Sequence, residues 1–311
     1  MGNIIIKTKN LSKKYKDSVV VNKIDLEIQE GEIYGFLGPN GAGKTTTIQM
    51  LLGLIKPSNG EIYIDGKTIK NNRIDILKNM GSLVESPSYY GNLTAYENLE
   101  IIAKVRKIPL SRIQEVLEIV GLEKVEKKLT KNFSLGMKQR LGIGMAILGS
   151  PKILILDEPT NGLDPSGIEE IRELIKSFPV KYGMTVLVSS HLLSEIDQIA
   201  TNVGIINKGN LIFQGEINHL RNLSNTIINF KVDQIDVARK LLKNEKIKFN
   251  RNGFEIDSPD YSEVATINKL LVENNINVYR IEEIKDSLER IFLNLIREDE
   301  NRHVEIDSNR F

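Results

Sequence analysis

The chain of 311 residues carries 42 basic and 41 acidic residues, a formal net charge of +1, and so lacks the basic excess that marks a nucleic-acid-binding surface. It is 41% hydrophobic and 27% charged, ordinary for a globular protein with room for one large domain or two smaller ones. It contains no cysteine, which excludes disulfides and thiolate-held metals, and its three histidines, His191, His219 and His303, are too far apart in sequence to read as a metal cluster.

Met1 to Leu11 lacks the long apolar segment of a secretory leader. No stretch reaches the roughly 18 uninterrupted apolar residues that span a bilayer. The protein is therefore expected to be soluble by itself, with any membrane role supplied by a partner.

The elements follow in order. Ile4–Leu11 and Val19–Ile28 read as strands, the second alternating Ile24, Leu26 and Ile28 with charged neighbours. Glu30-Gly31 is a turn. Ile33–Leu37 is a short apolar strand running into a glycine-rich loop, and a helix follows from about Gly43 to Ile55, stopped by Lys56-Pro57-Ser58-Asn59-Gly60. Glu61–Asp65 is a strand. Residues from about 94 to 150 are mostly helical, with apolar spacing of three to four in Thr94–Arg106, Ser111–Val120 and Met137–Leu148. Ile153–Leu156 and Thr185–Val188 are unbroken apolar strands, as expected for a parallel sheet covered on both faces. Helices Ser166–Ser177 and Leu193–Ala200 alternate with them.

After about Asn222 the pattern changes to strand Thr226–Val232, helix Asp233–Asn244, strands Lys246–Asn250 and Phe254–Asp257, helix Asp260–Asn274 and strand Asn277–Ile281. The Asn252-Gly253 pair between two short strands signals a hairpin. This βαββαβ order is the ferredoxin-like arrangement. A last helix, Ser287–Ile296, precedes a polar stretch, Arg297–Phe311, expected to be disordered.

Gly38-Pro39-Asn40-Gly41-Ala42-Gly43-Lys44-Thr45 is a complete G-x-x-x-x-G-K-[ST] loop between a strand and a helix, followed by Thr46. Its glycines let several backbone N–H groups converge on phosphate oxygens, and the helix presents its positive end to the same anion. Lys44 is expected to reach the β- and γ-phosphates and Thr45 to ligate Mg²⁺. Ile153–Leu156 then delivers Asp157 and Glu158 at a C-terminal strand edge, where ligands sit in open α/β sheets. Asp157 is expected to hold Mg²⁺ and Glu158 to polarise the attacking water. By itself such a strand end could equally be a solvated acidic turn.

Asn132-Phe133-Ser134-Leu135-Gly136-Met137-Lys138-Gln139-Arg140 resembles the signature motif of ABC ATPases, written L-S-G-G-Q in that family. Ser134, Gly136 and Gln139-Arg140 match; Leu135 replaces a glycine and Met137 the glutamine. The resemblance implies that Ser134 and Gly136 meet the γ-phosphate held by the opposite subunit. Asn161-Gly162-Leu163-Asp164 resembles the loop that crosses the dimer interface. His191 resembles the switch histidine, although a histidine at a strand end is otherwise structural. Tyr15 resembles the aromatic that stacks on adenine, although a tyrosine among lysines is otherwise a surface residue. Glu85, in Ser82-Leu83-Val84-Glu85-Ser86-Pro87, stands where the family usually has glutamine. That variant is similar to transporters that expel lantibiotics and bacitracin-like peptides, and it adds Glu85 to Thr45 and Asp157 as metal ligands. Tyr89-Tyr90 would line the groove for a membrane subunit or belong to the core. Ser287-Leu288-Glu289-Arg290-Ile291-Phe292-Leu293 is similar to the close of bacitracin-type ATPases.

The resemblance covers residues 4–220. It implies an α/β P-loop ABC ATPase core (1–222) with an antiparallel β edge and a helical subdomain near 90–150; the element order after it adds a small α+β ferredoxin-like domain (223–297) and a polar tail (298–311). The expected activity is ATP hydrolysis with Mg²⁺, catalysed by Glu158 and His191. It would power export of an antimicrobial peptide or similar amphipath through separate membrane-embedded permease subunits. The expected working form is a homodimer of ATPase subunits, peripheral on the cytoplasmic face of the cell membrane, with no nucleic-acid partner. The alternative is a non-transport ABC ATPase acting on ribosome or DNA.

Overall fold

The computed structural model describes residues 2–125, 127–222, 226–242, 247–257, 259–285 and 288–308. Two compact units result. One runs to Ile217 and takes up the chain again from Asp299; the other runs from Asn218 to Glu298. Among the described residues, no helix is long and apolar enough to cross a membrane.

The first unit opens with β1 (Ile4–Tyr15), against which β2 (Ser18–Ile24) and β3 (Glu27–Gln29) both return antiparallel. The expected single strand Val19–Ile28 is thus two strands. The buried Thr8 hydroxyl takes over the ladder at the break, donating to Ile24 O and accepting the Leu26 N–H. Asp25 Oδ1 accepts the Asn10 N–H beside it, so the backbone there is paired without a continuous strand.

Next come β4 (Ile33–Leu37), α1 (Lys44–Leu51), β5 (Asn59–Ile64) and β6 (Lys67–Thr68). The antiparallel sheet has the order β2-β1-β5-β6, with β3 on β1. The helix α2 (Ile69–Lys78) leads to β7 (Met80–Leu83). The helical region holds α3 (Ala95–Arg106), α4 (Ser111–Ile119) and α5 (Leu135–Ile147). Then follow β8 (Ile153–Asp157), α6 (Pro165–Tyr182), β9 (Thr185–Ser190), α7 (Leu193–Ile196), β10 (Asn202–Asn207) and β11 (Asn210–Glu216).

These give a six-stranded sheet, β11-β10-β4-β9-β8-β7. All of its pairs are parallel except the hairpin of β10 with β11. Every residue of β4, β8 and β9 is buried, which is why their sequences are unbroken apolar runs. Their C-terminal ends, Leu37, Asp157 and Ser190, lie along one edge of the sheet. The helix expected over Leu193–Ala200 is only the single turn α7.

The helix α8 (Ile217–Asn222) follows. The second unit contains β12 (Thr226–Val232), α9 (Ile235–Leu241), β13 (Ile247–Phe249), β14 (Gly253–Asp257), α10 (Tyr261–Glu273) and β15 (Val278–Lys285). The sheet order β13-β14-β12-β15 is antiparallel throughout, as the βαββαβ reading requires. Its core joins Ile228, Phe230 and Val232 to Phe254, Ile256, Ile267 and Leu271, with the Phe230 and Phe254 rings stacked at 4.9 Å.

The closing helix α11 (Leu288–Ser308) corrects the expected disordered tail. Arg297, Glu298, Glu300, Arg302 and Glu305 are good helix formers that extend an existing helix at little cost. In addition, Asp299 Oδ2 accepts from Nδ2 of the buried Asn207 at the end of β10. Ser287, the expected start of this helix, and residues 309–311 lie outside the described residues.

Candidate nucleotide site

The loop between β4 and α1 is built by backbone geometry that only glycine accepts. Gly43 has φ +108°, and a Cβ there would stand 2.7 Å from Val20 O. At Gly38 a Cβ would stand 2.3 Å from Ile206 O. The chain can therefore curl closely against β2 and β10. The loop is the floor of a cleft of about 360 Å³, lined by Val20, Pro39, Asn40, Gly41, Gly43, Lys44, Thr45, Thr46, Glu158, Asn161 and His191.

Lys44 is buried, and its Nζ donates to Gly38 O at 2.7 Å and stands 3.2 Å from Glu158 Oε1. The other oxygen of that carboxylate, Oε2, lies 2.8 Å from His191 Nδ1. Glu158 adopts φ +50°, an unusual conformation for a non-glycine residue, costing of order 1–3 kcal/mol. The Ser189 hydroxyl holds it there: it accepts the Glu158 N–H and donates to the buried Asp157 Oδ1. One serine at the end of β9 thus fixes the Asp157 carboxylate at the end of β8 and the backbone of Glu158 just after it.

A second bridge was not legible in the sequence. Glu195 Oε2 accepts from Thr160 Oγ1 at 2.6 Å and from Ser190 Oγ at 3.0 Å. It ties the loop after Glu158 to the loop that carries His191. Neither Ser189 nor Glu195 belongs to a recognisable motif. The Ser189-Ser190 pair at the end of a buried strand was the available signal, since buried hydroxyls need partners.

The structure brings Pro39, Asn40, Gly41, Gly43, Lys44, Thr45, Thr46, Glu158 and His191 together. It does not bring the other expected site residues onto the cleft wall. Tyr15 is half exposed at the end of β1, with Lys13 Nζ 4.8 Å from its ring centre. Ser134 caps α5, accepting the Met137 N–H. Asp164 caps α6 in the same way, accepting from Gly167. Leu163 Cδ2 lies 3.9 Å from the Cβ position of Gly136, and Leu135 Cδ2 lies 3.3 Å from that of Gly162. The start of α5 and the loop before α6 are therefore neighbours. Glu85 is exposed, has φ +61°, and follows β7 on the same sheet edge as Asp157. Among the described residues, no group of three or more His, Asp or Glu is placed to hold a metal unaided.

A phosphate loop opening a helix, with a lysine, a glutamate and a histidine meeting over it, defines a nucleotide-hydrolysing protein of the P-loop class. The family described as ABC transporter matches residues 21–161. The chain is 47% identical over 300 residues to the bacitracin transport ATP-binding protein BcrA of Bacillus licheniformis, covering 94% of this chain and 97% of that protein. It is 43% identical over 219 residues to the lantibiotic transport ATP-binding protein SrtF of Streptococcus pyogenes, covering 70% of this chain and 94% of that one.

Among solved structures, cbiO1 of Clostridium perfringens, part of the transporter complex cbiONQ, superposes with a TM-score of 0.66 at 29% identity, covering 77% of this chain and 94% of that one. The cassette MJ0796, solved as a dimer bound to ADP and Pi, superposes with a TM-score of 0.62 at 26% identity, covering 68% and 99%. The chain belongs to the ABC transporter family, as an ATP-binding subunit that hydrolyses ATP.

Proposed function

We propose that this subunit powers export of an antimicrobial peptide or similar amphipathic compound through separate membrane-embedded permease subunits, working as a homodimer on the cytoplasmic face of the membrane. The observation that carries the reading is the end-to-end similarity to a bacitracin transport ATP-binding protein, over 94% of this chain. The near-neutral charge and the transport relatives disfavour the alternative of an ATPase acting on ribosome or DNA.

In this reading the loop Gly38–Thr46 cradles the phosphates through its N–H groups and Lys44, and Tyr15 stacks on the base. Glu158 takes the proton of the attacking water, and His191, 2.8 Å away, holds the carboxylate in position. Mg²⁺ suits the donors present: the Thr45 hydroxyl opening α1 and the buried Asp157 carboxylate are hard oxygen ligands, and Glu85 lies on the same edge. When bound, the ion neutralises charge developing on the phosphates. Ser134 and Gly136 belong to the γ-phosphate site of the second copy, and Asp164 to the loop that meets it. The exchange of Leu135 and Met137 for the family's glycine and glutamine leaves that contact to the serine and the α5 N-terminus.

Expression with its candidate permease in a sensitive host tests this directly. Resistance to a bacitracin-like peptide is expected with the wild-type chain and lost with Glu158→Gln. Resistance that survives Glu158→Gln, or a wild-type chain that confers none, sinks the export reading.

A further inference from the structure

The accessory sheet ends in an unusual edge. Its outer strand on one side, β13, has three residues, a length that itself discourages pairing. On the other side β15 has eight residues, contains no proline, and pairs only with β12 among the described residues. Its outer N–H and C=O groups offer a template for another strand. Its side chains are open too: Tyr279 is 71% and Ile281 41% exposed, and Val272 on the neighbouring α10 is 58% exposed. An exposed strand of this length with apolar side chains is a docking surface unless charge blocks it.

The charges on β15 do not block it; they select a partner. Arg280 and Glu282 lie on one face of the strand, where Arg280 Nε is 2.8 Å from Glu282 Oε2 of the same chain. Two copies of this strand set antiparallel about Ile281 bring each Arg280 directly opposite the other copy's Glu282. In that register Ile281 meets its own copy at the dyad, on the face shared with Phe230, to which it is paired in β12. Directly opposed residues of antiparallel strands share a face, with side chains about 4.5–5.5 Å apart. The register therefore places two opposite-charge pairs on one face and an apolar contact on the other. A slip by one residue sets Ile281 against Glu282 or against Arg280, which loses the apolar contact in either case, and a slip by two sets Glu282 against Glu282 or Arg280 against Arg280.

We infer that β15 is a self-association edge, through which two copies of this chain join their four-stranded accessory sheets into one eight-stranded sheet. The interface is isologous, as a two-fold dimer requires. It rests on the accessory unit alone and needs no nucleotide, so it would hold a pair of subunits together after ATP is hydrolysed.

The test is sedimentation of the full chain in EDTA without nucleotide, where dimerisation driven by ATP is absent. The wild type is expected to sediment as a dimer. Arg280→Glu and Glu282→Arg are each expected to weaken the dimer by about tenfold, since each replaces two opposite-charge pairs with two like-charge pairs. Mixing the two variants restores Arg–Glu pairs only between chains, while each chain keeps its own like-charged pair. Heterodimers in that mixture at wild-type strength support the inference; a nucleotide-free monomer, variants that dimerise like the wild type, or a mixture that stays monomeric overturns it. An ATP-dependent dimer of Glu158→Gln is measured separately, and its absence would count against the proposed function and not against this edge.

Discussion

Lys44 Nζ stands 3.2 Å from Glu158 Oε1, so the cation of the phosphate loop and the carboxylate at the end of β8 form an ion pair inside one cleft. Both are well shielded, with side-chain exposures of 6% and 21%. The pair holds the glutamate that follows β8 over the loop after β4, although the two strands are separated in the sheet by β9. In the proposed reading, phosphates entering the loop would compete for the same ammonium and free Oε1 for a water.

Glu158→Gln removes the base while keeping the shape. Hydrolysis is expected to fall by about 10²–10⁴-fold, with ATP binding retained. In the presence of ATP the variant should accumulate as a dimer, visible by size-exclusion chromatography. Turnover at the wild-type rate would remove Glu158 from the catalytic role.

Lys44→Ala deletes the cation from the cradle. ATP affinity is expected to drop by about 1.5–3 kcal/mol, the worth of a charge-assisted hydrogen bond, measured by isothermal titration. An unchanged dissociation constant would show that the phosphates sit elsewhere.

Glu85→Gln tests the exposed residue at φ +61° after β7. An amide accepts through one oxygen and carries no charge, so it is the weaker ligand for a hard cation. Folding, ATP binding and most basal hydrolysis are expected to persist, because Thr45 and Asp157 remain. Peptide resistance in cells carrying the permease should fall. If resistance and ATPase rate both equal wild type, Glu85 has no switch role.

Ser189→Ala separates scaffold from chemistry. Its hydroxyl donates to buried Asp157 and accepts from the Glu158 backbone, so its loss strands a buried carboxylate oxygen and a strained N–H together. Stability is expected to fall by about 1–3 kcal/mol in denaturant unfolding. The Mg²⁺ concentration needed for half-maximal ATPase should rise. A variant with wild-type stability and wild-type Mg²⁺ dependence would contradict the bridging role.

The capping box of α3 gives a pH dependence. The Thr94 N–H and hydroxyl both donate to Glu97, whose carboxyl is held below the ordinary glutamate value by the backbone N–H first and the hydroxyl second. A depressed folded-state value contributes stability above the unfolded value, and this is lost as pH falls through the folded one. Thr94→Ala is expected to cost about 0.5–2 kcal/mol at neutral pH. The gap between wild type and variant, followed by thermal unfolding, should narrow as pH drops below the usual carboxylate range.

The parts legible in the sequence were those encoded by neighbours along the chain. The phosphate loop is one strand, eight residues and one helix, so its spacing alone specifies a cradle. The runs Ile153–Leu156 and Thr185–Val188 announced buried parallel strands because both their faces are covered. The βαββαβ order announced the accessory fold in the same local way, and the expected hairpin joins β13 to β14, although Gly253 opens β14 and the turn lies before it. Other features depended on partners far away in the chain. The single strand read over Val19–Ile28 is two, because Thr8 intervenes from β1. The helix α2 and the hairpin of β10 with β11 carry no motif, yet Gly38 and Gly43 are packed against β10 and β2 and could be nothing else. Ser189 and Glu195 became site residues only when β9 closed beside β8. The ends of both strands then share one buried edge, and every polar group there has to find its partner across the sheet and not along the chain.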